Sequence, residues 1–339
     1  MKTISILSLL FAVQVSYGQT ASKAISSLYP PPAIKPVQTK PKMTECLFCN
    51  ISIGSKNNPR QITELSVVGK PTTEGLPSLY EPEDLVDIEP RYMTPLYRKD
   101  YTPQYIAEGK MEKMRRSAYI AMTHMLDAAH FANIDLFIHS AYRSYEIQCN
   151  VFSVKLVKQL SADGFISKKY TGPYALSEMK KDIKAGYKPE FTADQLIRSM
   201  MAVNTRSALP GQSEHQLGSA ADIVTMIPKY EPQIPSENKP EFSGYALEYE
   251  MQDTPAFKWL QENAYKYGYA LSYPNSETLD FTKPNIRTGY IYEPWHWRYI
   301  GVDYATRFKD CGRLVLREFL TALAKNPAYQ CNKSHSGVK

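Results

Sequence analysis

Two short stretches of this sequence carry residue types that bind metal ions and move protons. They are residues 292–297 (YEPWHW) and residues 213–222 (SEHQLGSAAD). In the first stretch, Pro294 favours an extended or polyproline backbone with about three residues per turn, which turns Glu293 and His296 toward the same side. That arrangement suits a metal ligand beside a general base. Alone, it is also typical of aromatic packing and hydrogen bonding, so the interpretation depends on the second stretch.

The second stretch holds His215 and Asp222, seven positions apart. In a helix they would lie about 10 Å apart along the axis, and in a strand more than about 20 Å apart. Neither spacing lets both reach one zinc ion at about 2 Å, so the chain has to double back, which Gly218 permits. With His296 they form two imidazoles and a carboxylate, a ligand set typical of catalytic zinc. Glu293 is interpreted as the general base that takes a proton from the zinc-bound water.

Arg143 is the candidate for substrate recognition. It lies in residues 140–144 (SAYRS), directly after a predicted strand. A planar guanidinium can grip a carboxylate through two hydrogen bonds. Taken alone, such an arginine is more typical of a surface ion pair, and both interpretations stay open at this point.

The composition describes a folded, mildly basic protein. The 339 residues are 43% hydrophobic, enough for a sizeable core in one large or two ordinary domains. Lys and Arg total 40 and Asp and Glu total 34, which leaves a formal charge of +6. No dense run of basic residues is interleaved with aromatics, so no nucleic-acid partner is predicted. The charge suits either an anionic cell-wall surface or ordinary solubility.

The N-terminus predicts export. Residues 1–18 read as a secretory signal, in which Lys2 precedes an apolar stretch that ends in small residues up to Gly18. No later segment is long and apolar enough to predict a transmembrane helix. The mature protein is therefore expected to be periplasmic, extracellular or associated with the cell wall. Export also permits disulfide bonds, and Cys311 and Cys331, which flank a predicted helix, are a candidate pair.

The pattern along the chain predicts an α+β fold. Residues 19–75, rich in proline and lysine, predict an extended linker, followed by a domain at 76–325 and a tail at 326–339. Within the domain, residues 76–100 predict an irregular arm. Helical spacing is present at 110–133, 145–160, 192–203, 257–267 and 304–324, and strands are predicted at 134–139, 223–224, 269–273 and 289–299. Helices and strands do not alternate as in βαβ units, which favours α+β.

Three groups of residues resemble the signatures of the VanY-type D-alanyl-D-alanine carboxypeptidases. They are residues 140–144 with Gln148, residues 210–222, and residues 293–299. Their order and internal spacing match those of the family, and the resemblance covers roughly residues 76–322. It implies a zinc peptidase of the hedgehog/lysostaphin-like α+β fold, in which a small antiparallel sheet carries the zinc site and helices flank it.

The resemblance also implies roles for single residues. It implies that one zinc ion per chain is bound by His215, Asp222 and His296. It implies that Glu293 is the general base. It places Arg143, Gln148 and Ser213 near the substrate, with Arg143 on the substrate's carboxylate or scissile carbonyl. The implied substrate is a peptidoglycan stem peptide trimmed at its terminal D-alanine.

The sequence departs from the family pattern at three places and leaves other functions open. The segment 149–205 is longer than usual, residues 228–245 are inserted, and Leu217 stands where threonine is common. These departures leave open a D,D or an L,D bond, and an endopeptidase or dipeptidase activity. A non-catalytic binding module on the same fold is a further alternative, and the presence of Glu293 argues against it.

Overall fold

The computed structural model of the protein describes residues 4–5, 82, 84–95, 111–172, 174–229, 244–276, 280–312, 315–326 and 328–331. Apart from Ile4–Ser5, the predicted signal segment lies outside these ranges, as do the predicted linker at 19–75 and most of the insertion at 228–245. The domain boundaries and the signal therefore stay predictions.

Short strands and longer helices follow one another along the chain. The strands are Ile4–Ser5 (β1), Leu85–Asp87 (β2), Lys113–Arg115 (β3), Phe137–Ser140 (β4), Glu190–Phe191 (β5), Ala220–Val224 (β6), Tyr269–Leu271 (β7) and His296–Tyr299 (β8). The α-helices are Arg116–Phe131 (α1), Tyr145–Ala162 (α2), Ala175–Lys184 (α3), Ala193–Asn204 (α4), Pro255–Asn263 (α5), Val302–Cys311 (α6) and Leu316–Lys325 (α7). Short 3-10 helices lie at Pro90–Tyr92, Glu214–Leu217, Tyr249–Asp253 and Ala264–Tyr267.

The described residues divide into two compact units. Residues 4–5 and 144–213 form one, called the helical unit below, and residues 82–143 and 214–331, as far as they are described, form the other, called the sheet unit. Together the helices and the antiparallel strands confirm the predicted α+β class.

The sheet unit is organised by a four-stranded sheet in the order β4-β6-β8-β7, in which each neighbouring pair is antiparallel. The two inner strands, β6 and β8, are buried along nearly their whole length. Such strands read as continuous apolar runs unless function requires otherwise. The polar residues on β6 and β8 are therefore the ones whose presence needs a chemical reason.

Helix α1 packs into the core of the sheet unit because its apolar residues recur at helical spacing. Ala118, Met122, Met125 and Ala129 are all fully buried in the same cluster as Ile223 of β6. The methionines fill the core, as the sequence predicts. The helix begins at Arg116 and not near residue 110, because Lys113–Arg115 pairs with Leu85–Asp87 as a strand.

The helical unit is built from α2, α3 and α4 around its own apolar cluster, which includes Phe152, Leu156 and Met200. Ser144 caps α2 by accepting a hydrogen bond from the backbone N–H of Ile147. A capping box of Thr192 and Gln195 begins α4. Helix α3 lies in a segment whose polar composition did not predict a helix.

Two predicted elements at the C-terminal side are wrong in extent. The predicted helix 304–324 is two helices, α6 and α7, because Gly312 ends α6 with φ at 62°. Of the predicted strand 289–299, only His296–Tyr299 forms a strand. Cys311 and Cys331, with Cα atoms 5.2 Å apart, form the predicted disulfide bond. Among the described helices, none has the length and apolar character to span a bilayer.

Candidate metal centre

The sheet register brings Asp222 and His296 side by side. They are directly opposite residues on the inner strands β6 and β8, where side chains on one face lie about 5 Å apart at Cβ. Oδ1 of Asp222 is 3.0 Å from Nδ1 of His296. Both side chains are buried, so this pair is held by the backbone ladder and is shielded from solvent.

His215 joins the pair because the chain reverses at Gly218. The Glu214–Leu217 turn precedes β6, and Gly218 has φ at 69°. A Cβ at this position would lie 2.9 Å from side-chain atoms of Arg115 and of Leu85. Glycine is therefore required both for the conformation and for the space. The reversal brings Nε2 of His215 to 3.4 Å from Oδ2 of Asp222.

Hydrogen bonding determines which nitrogen of His215 is available. Nδ1 lies 2.6 Å from the backbone carbonyl of Ala141, and a carbonyl can only accept, so Nδ1 carries the proton. The lone pair is then on Nε2, which faces Asp222. Burial, reinforced by the charge of Arg143, lowers the pKa of His215 to about 4. The ring is neutral at neutral pH, the form that binds metals.

His296 presents its other nitrogen to the cluster. Nε2 is 3.2 Å from Oε2 of Glu214, whereas Nδ1 faces Asp222. Burial works to lower the pKa of His296, but the hydrogen bonds with Asp222 and Glu214 outweigh it and raise the pKa to about 10. The two histidine rings cross nearly at right angles with centroids 4.8 Å apart. Nε2 of His215 and Nδ1 of His296 therefore both face the carboxylate of Asp222.

Glu214 and Arg298 complete the surroundings of His296, and the sequence patterns assigned a role to neither. Burial acts to raise the pKa of Glu214, but Arg298 and His296 reverse its effect and lower the pKa to about 2. Nη1 of Arg298 donates to Oε1 of Glu214 at 2.9 Å. Two signals pointed to them: Glu214 directly precedes His215, and Arg298 is two residues after His296, on the same face of β8.

Glu293 lies beside the cluster but outside it. Its Oε2 is 3.9 Å from Nδ1 of His296. The backbone between them is a tight turn in which the N–H of His296 donates to the carbonyl of Glu293. Pro294 therefore serves as the second residue of a turn, and the predicted polyproline stretch is wrong. The predicted outcome, with both side chains on one side, holds through this different backbone geometry.

Arg143 reaches the same carboxylate from the end of β4. Nη2 is 3.1 Å from Oδ2 of Asp222, and the guanidinium also donates to Oγ of Ser140. Burial acts to raise the pKa of Asp222, but His215, His296 and Arg143 lower it well below its ordinary value. Asp222 is therefore ionised at neutral pH.

Gln148 and Ser213 lie in the helical unit, where both are buried. Nε2 of Gln148 donates to the backbone carbonyl of Ala208 at 2.7 Å. Their predicted contact with substrate stays a prediction.

Together, His215, Asp222 and His296 offer ligand atoms that all lie within 4.8 Å of one another. Ligand atoms around a tetrahedral zinc ion, each about 2.1 Å from the metal, lie about 3.4 Å apart. Two imidazole nitrogens and a carboxylate oxygen are also the donor types that zinc takes. The residues present therefore fit a zinc ion, and Glu293 remains outside the ligand set.

The chain is similar to known proteins over more than half of its length. Residues 111–302 match the family described as VanY, D-alanyl-D-alanine carboxypeptidase. A protein of Bacillus subtilis (strain 168), provisionally named the carboxypeptidase YodJ, is 30% identical over 272 residues, which are 79% of this chain and 70% of that protein. The D-alanyl-D-alanine carboxypeptidase of Enterococcus faecalis (strain ATCC 700802 / V583) is 27% identical over 221 residues, which are 65% of this chain and 60% of that protein.

A solved structure is similar over a comparable length. The LD-carboxypeptidase LdcB, whose structure was described as revealing peptidoglycan recognition, is 28% identical over 78% of this chain and 87% of its own, with a TM-score of 0.44. The family match covers more than half of the 339 residues and spans Arg143 to His296. The chain therefore belongs to the VanY family of D-alanyl-D-alanine carboxypeptidases.

Proposed function

We propose that this protein is a zinc-dependent carboxypeptidase that removes the terminal D-alanine from peptidoglycan stem peptides. The observation that carries the proposal is the buried cluster of His215, Asp222 and His296 with Glu293 beside it. The family and a relative named D-alanyl-D-alanine carboxypeptidase support the choice of substrate. The predicted signal segment supports action outside the cytoplasm.

One zinc ion per chain would be held by Nε2 of His215, the carboxylate of Asp222 and Nδ1 of His296. Zinc in such a site polarises the scissile carbonyl and makes its water more acidic. Three protein ligands leave a fourth position for water or substrate. The carbonyl of Ala141, which accepts from Nδ1 of His215 at 2.6 Å, keeps that ring in the orientation that binding requires.

Glu293 is the proposed general base. Its carboxylate is close enough to His296 to reach water at the centre, with Oε2 3.9 Å from Nδ1. It takes the proton from the attacking water and then delivers it to the nitrogen of the leaving D-alanine. Such proton transfer requires a carboxylate that is positioned and not tied up as a ligand, and the turn at Pro294 holds Glu293 in that position.

We propose that Arg143 binds the substrate's free carboxylate or its scissile carbonyl. Its guanidinium is partly exposed, and it already contacts the carboxylate of Asp222. A planar fork of donors suits a terminal carboxylate, which is the group that separates an exopeptidase substrate from an internal peptide bond. Gln148 and Ser213 are proposed to contribute further substrate contacts.

The test is mass spectrometry of purified muropeptides before and after incubation with the zinc-loaded protein. Loss of a single terminal D-alanine, abolished by a chelator and restored by zinc, is the expected result. Cleavage of crosslinked dimers into monomers would replace the proposal with an endopeptidase, and release of D-Ala-D-Ala would replace it with a dipeptidase. No cleavage by protein that holds zinc would favour a binding module.

A further inference from the structure

Glu214 lies next to the proposed metal centre, but the proposed reaction gives it no role. Its Oε2 is 3.2 Å from Nε2 of His296. The other nitrogen of that ring, Nδ1, faces Asp222 at 3.0 Å. When an imidazole binds a metal through one nitrogen, the other nitrogen carries the proton and needs an acceptor. Glu214 is in the position of that acceptor.

The Glu214 carboxylate is itself held by two donors, one directly after β7 and one on β8. Ser272, directly after β7, donates from Oγ to Oε2 at 2.6 Å. Arg298 on β8 donates from Nη1 to Oε1 at 2.9 Å. Arg298 is only 1% exposed and Ser272 is 3% exposed. Both oxygens of the carboxylate therefore have donors that are shielded from solvent, and the Glu214 side chain itself is 12% exposed.

Strand geometry explains why these groups meet. His296 and Arg298 are two residues apart on β8, so they project from the same face. The N–H of Ser272 donates to the carbonyl of His296 at 3.2 Å, which joins β7 to the same point of β8. Strand β8 thus supplies both His296, a proposed ligand, and Arg298, which holds Glu214 beside it.

We infer that Glu214 is a positioning residue for the metal: it accepts the Nε2 proton of His296, while Arg298 and Ser272 keep its carboxylate in place. Nδ1 of His296 is thereby kept directed at the metal position. The inference rests on the proposed function, since it takes His296 to be a zinc ligand. It adds a second layer of residues, none of which touches the substrate or the reacting atoms.

The alternative is that Glu214 is only structural and serves to pair with the buried charge of Arg298. Removing Glu214 alone would leave the arginine charge buried without this partner, and such a variant can fail to fold. The test therefore uses two double variants of the full-length protein, Glu214→Gln/Arg298→Met and Glu214→Met/Arg298→Met. Both lack the ion pair and have side chains of similar size, but only the glutamine offers His296 an acceptor.

Zinc affinity is measured by competition with a chelator, and cobalt is substituted for zinc to record its visible absorption. Loss of a hydrogen-bond partner of a metal-bound histidine costs about 10- to 100-fold in metal affinity. We expect the methionine variant to bind zinc at least tenfold more weakly than the glutamine variant and to give a changed cobalt spectrum. Equal affinities and identical spectra in the two variants would overturn the inference.

A measurement on the parent protein needs no variant. In ¹⁵N-labelled, zinc-loaded protein, ring nitrogen–proton correlations should show a slowly exchanging proton on Nε2 of His296 and none on Nδ1. A proton on Nδ1 would overturn the inference even if neither double variant folds. Failure of the parent to bind zinc would instead overturn the proposed function, and this binding is measured first.

Discussion

At the scale of single residues, the hydrogen-bond partners of each histidine decide which of its two nitrogens faces Asp222. The carbonyl of Ala141 requires a proton on Nδ1 of His215, which leaves Nε2 for a metal. Oε2 of Glu214 lies at Nε2 of His296 as a hydrogen-bond acceptor, which leaves Nδ1 facing Asp222. The two rings therefore present opposite nitrogens to the same carboxylate, and Oε2 of Glu293 lies 3.9 Å from Nδ1 of His296.

The first prediction concerns Glu293. Glu293→Gln keeps the size of the side chain but removes the ability to take a proton, so turnover should fall about 100-fold or more. Zinc content should not change, because Glu293 is outside the ligand set. Steady-state release of D-alanine and metal analysis check both parts. Glu250→Gln, which removes a carboxylate paired with Lys229, is the control. Near-normal turnover in Glu293→Gln would assign the proton transfer elsewhere.

The second prediction concerns Arg143. Arg143→Lys keeps the charge but loses the planar fork, so kcat/KM on peptides with a free C-terminal carboxylate should fall about tenfold or more, the scale of a charge-assisted hydrogen bond. The parent should cleave C-terminally amidated peptides poorly, and the variant should discriminate less between the two forms.

Arg287→Lys is the matched control, since Arg287 also pairs with a carboxylate, that of Glu318. Zinc content is measured alongside, because Arg143 contacts Asp222. If the parent cleaves amidated and free peptides equally well, Arg143 does not read a terminal carboxylate, and the endopeptidase function is preferred.

At the scale of elements, the centre depends on a strand register and a reversal. The sequence predicts that His215 and Asp222 need the chain to double back, because their separation of seven residues excludes a single helix or strand, and Gly218 is where it does so. The pairing of Asp222 with His296 across 74 residues has no local signal. The pairing of Glu214 with Arg298 has no local signal either, because the two residues are far apart in the chain and meet only in the fold.

The third prediction concerns Gly218. Gly218→Ala places a Cβ in a left-handed conformation, which costs about 1–2 kcal/mol, and against two side chains at 2.9 Å. Both the free energy of unfolding and the zinc affinity should fall. Gly164→Ala is a matched control, because Gly164 has nearly the same φ, 70°, but has nothing within 4 Å of the added Cβ.

Denaturant unfolding and chelator competition separate the two contributions. Gly164→Ala should lose only the conformational part of the free energy of unfolding and keep the zinc affinity of the parent. Equal losses in both variants would show that the contacts around Gly218 do not hold His215 in place.

At the scale of the whole molecule, the proposed metal ligands and the proposed base all lie in the sheet unit. A ligand stabilises the state that binds it by RT ln(1 + [L]/Kd), about 2.7 kcal/mol at a hundredfold excess over Kd. Zinc binding should therefore raise the free energy of local opening most around the proposed ligands. In the rest of the chain this free energy should change less.

The fourth prediction follows for metal removal. Hydrogen–deuterium exchange with and without a chelator should show faster exchange in the zinc-free protein at residues 214–224 and 293–299, where β6 and β8 carry the centre. Helix α4, which begins with its own capping box, is the internal control. It should exchange at the same rate in both forms. Equal loss of protection in α4 would mean that the two units open together, and no change at β6 and β8 would mean that zinc is held elsewhere.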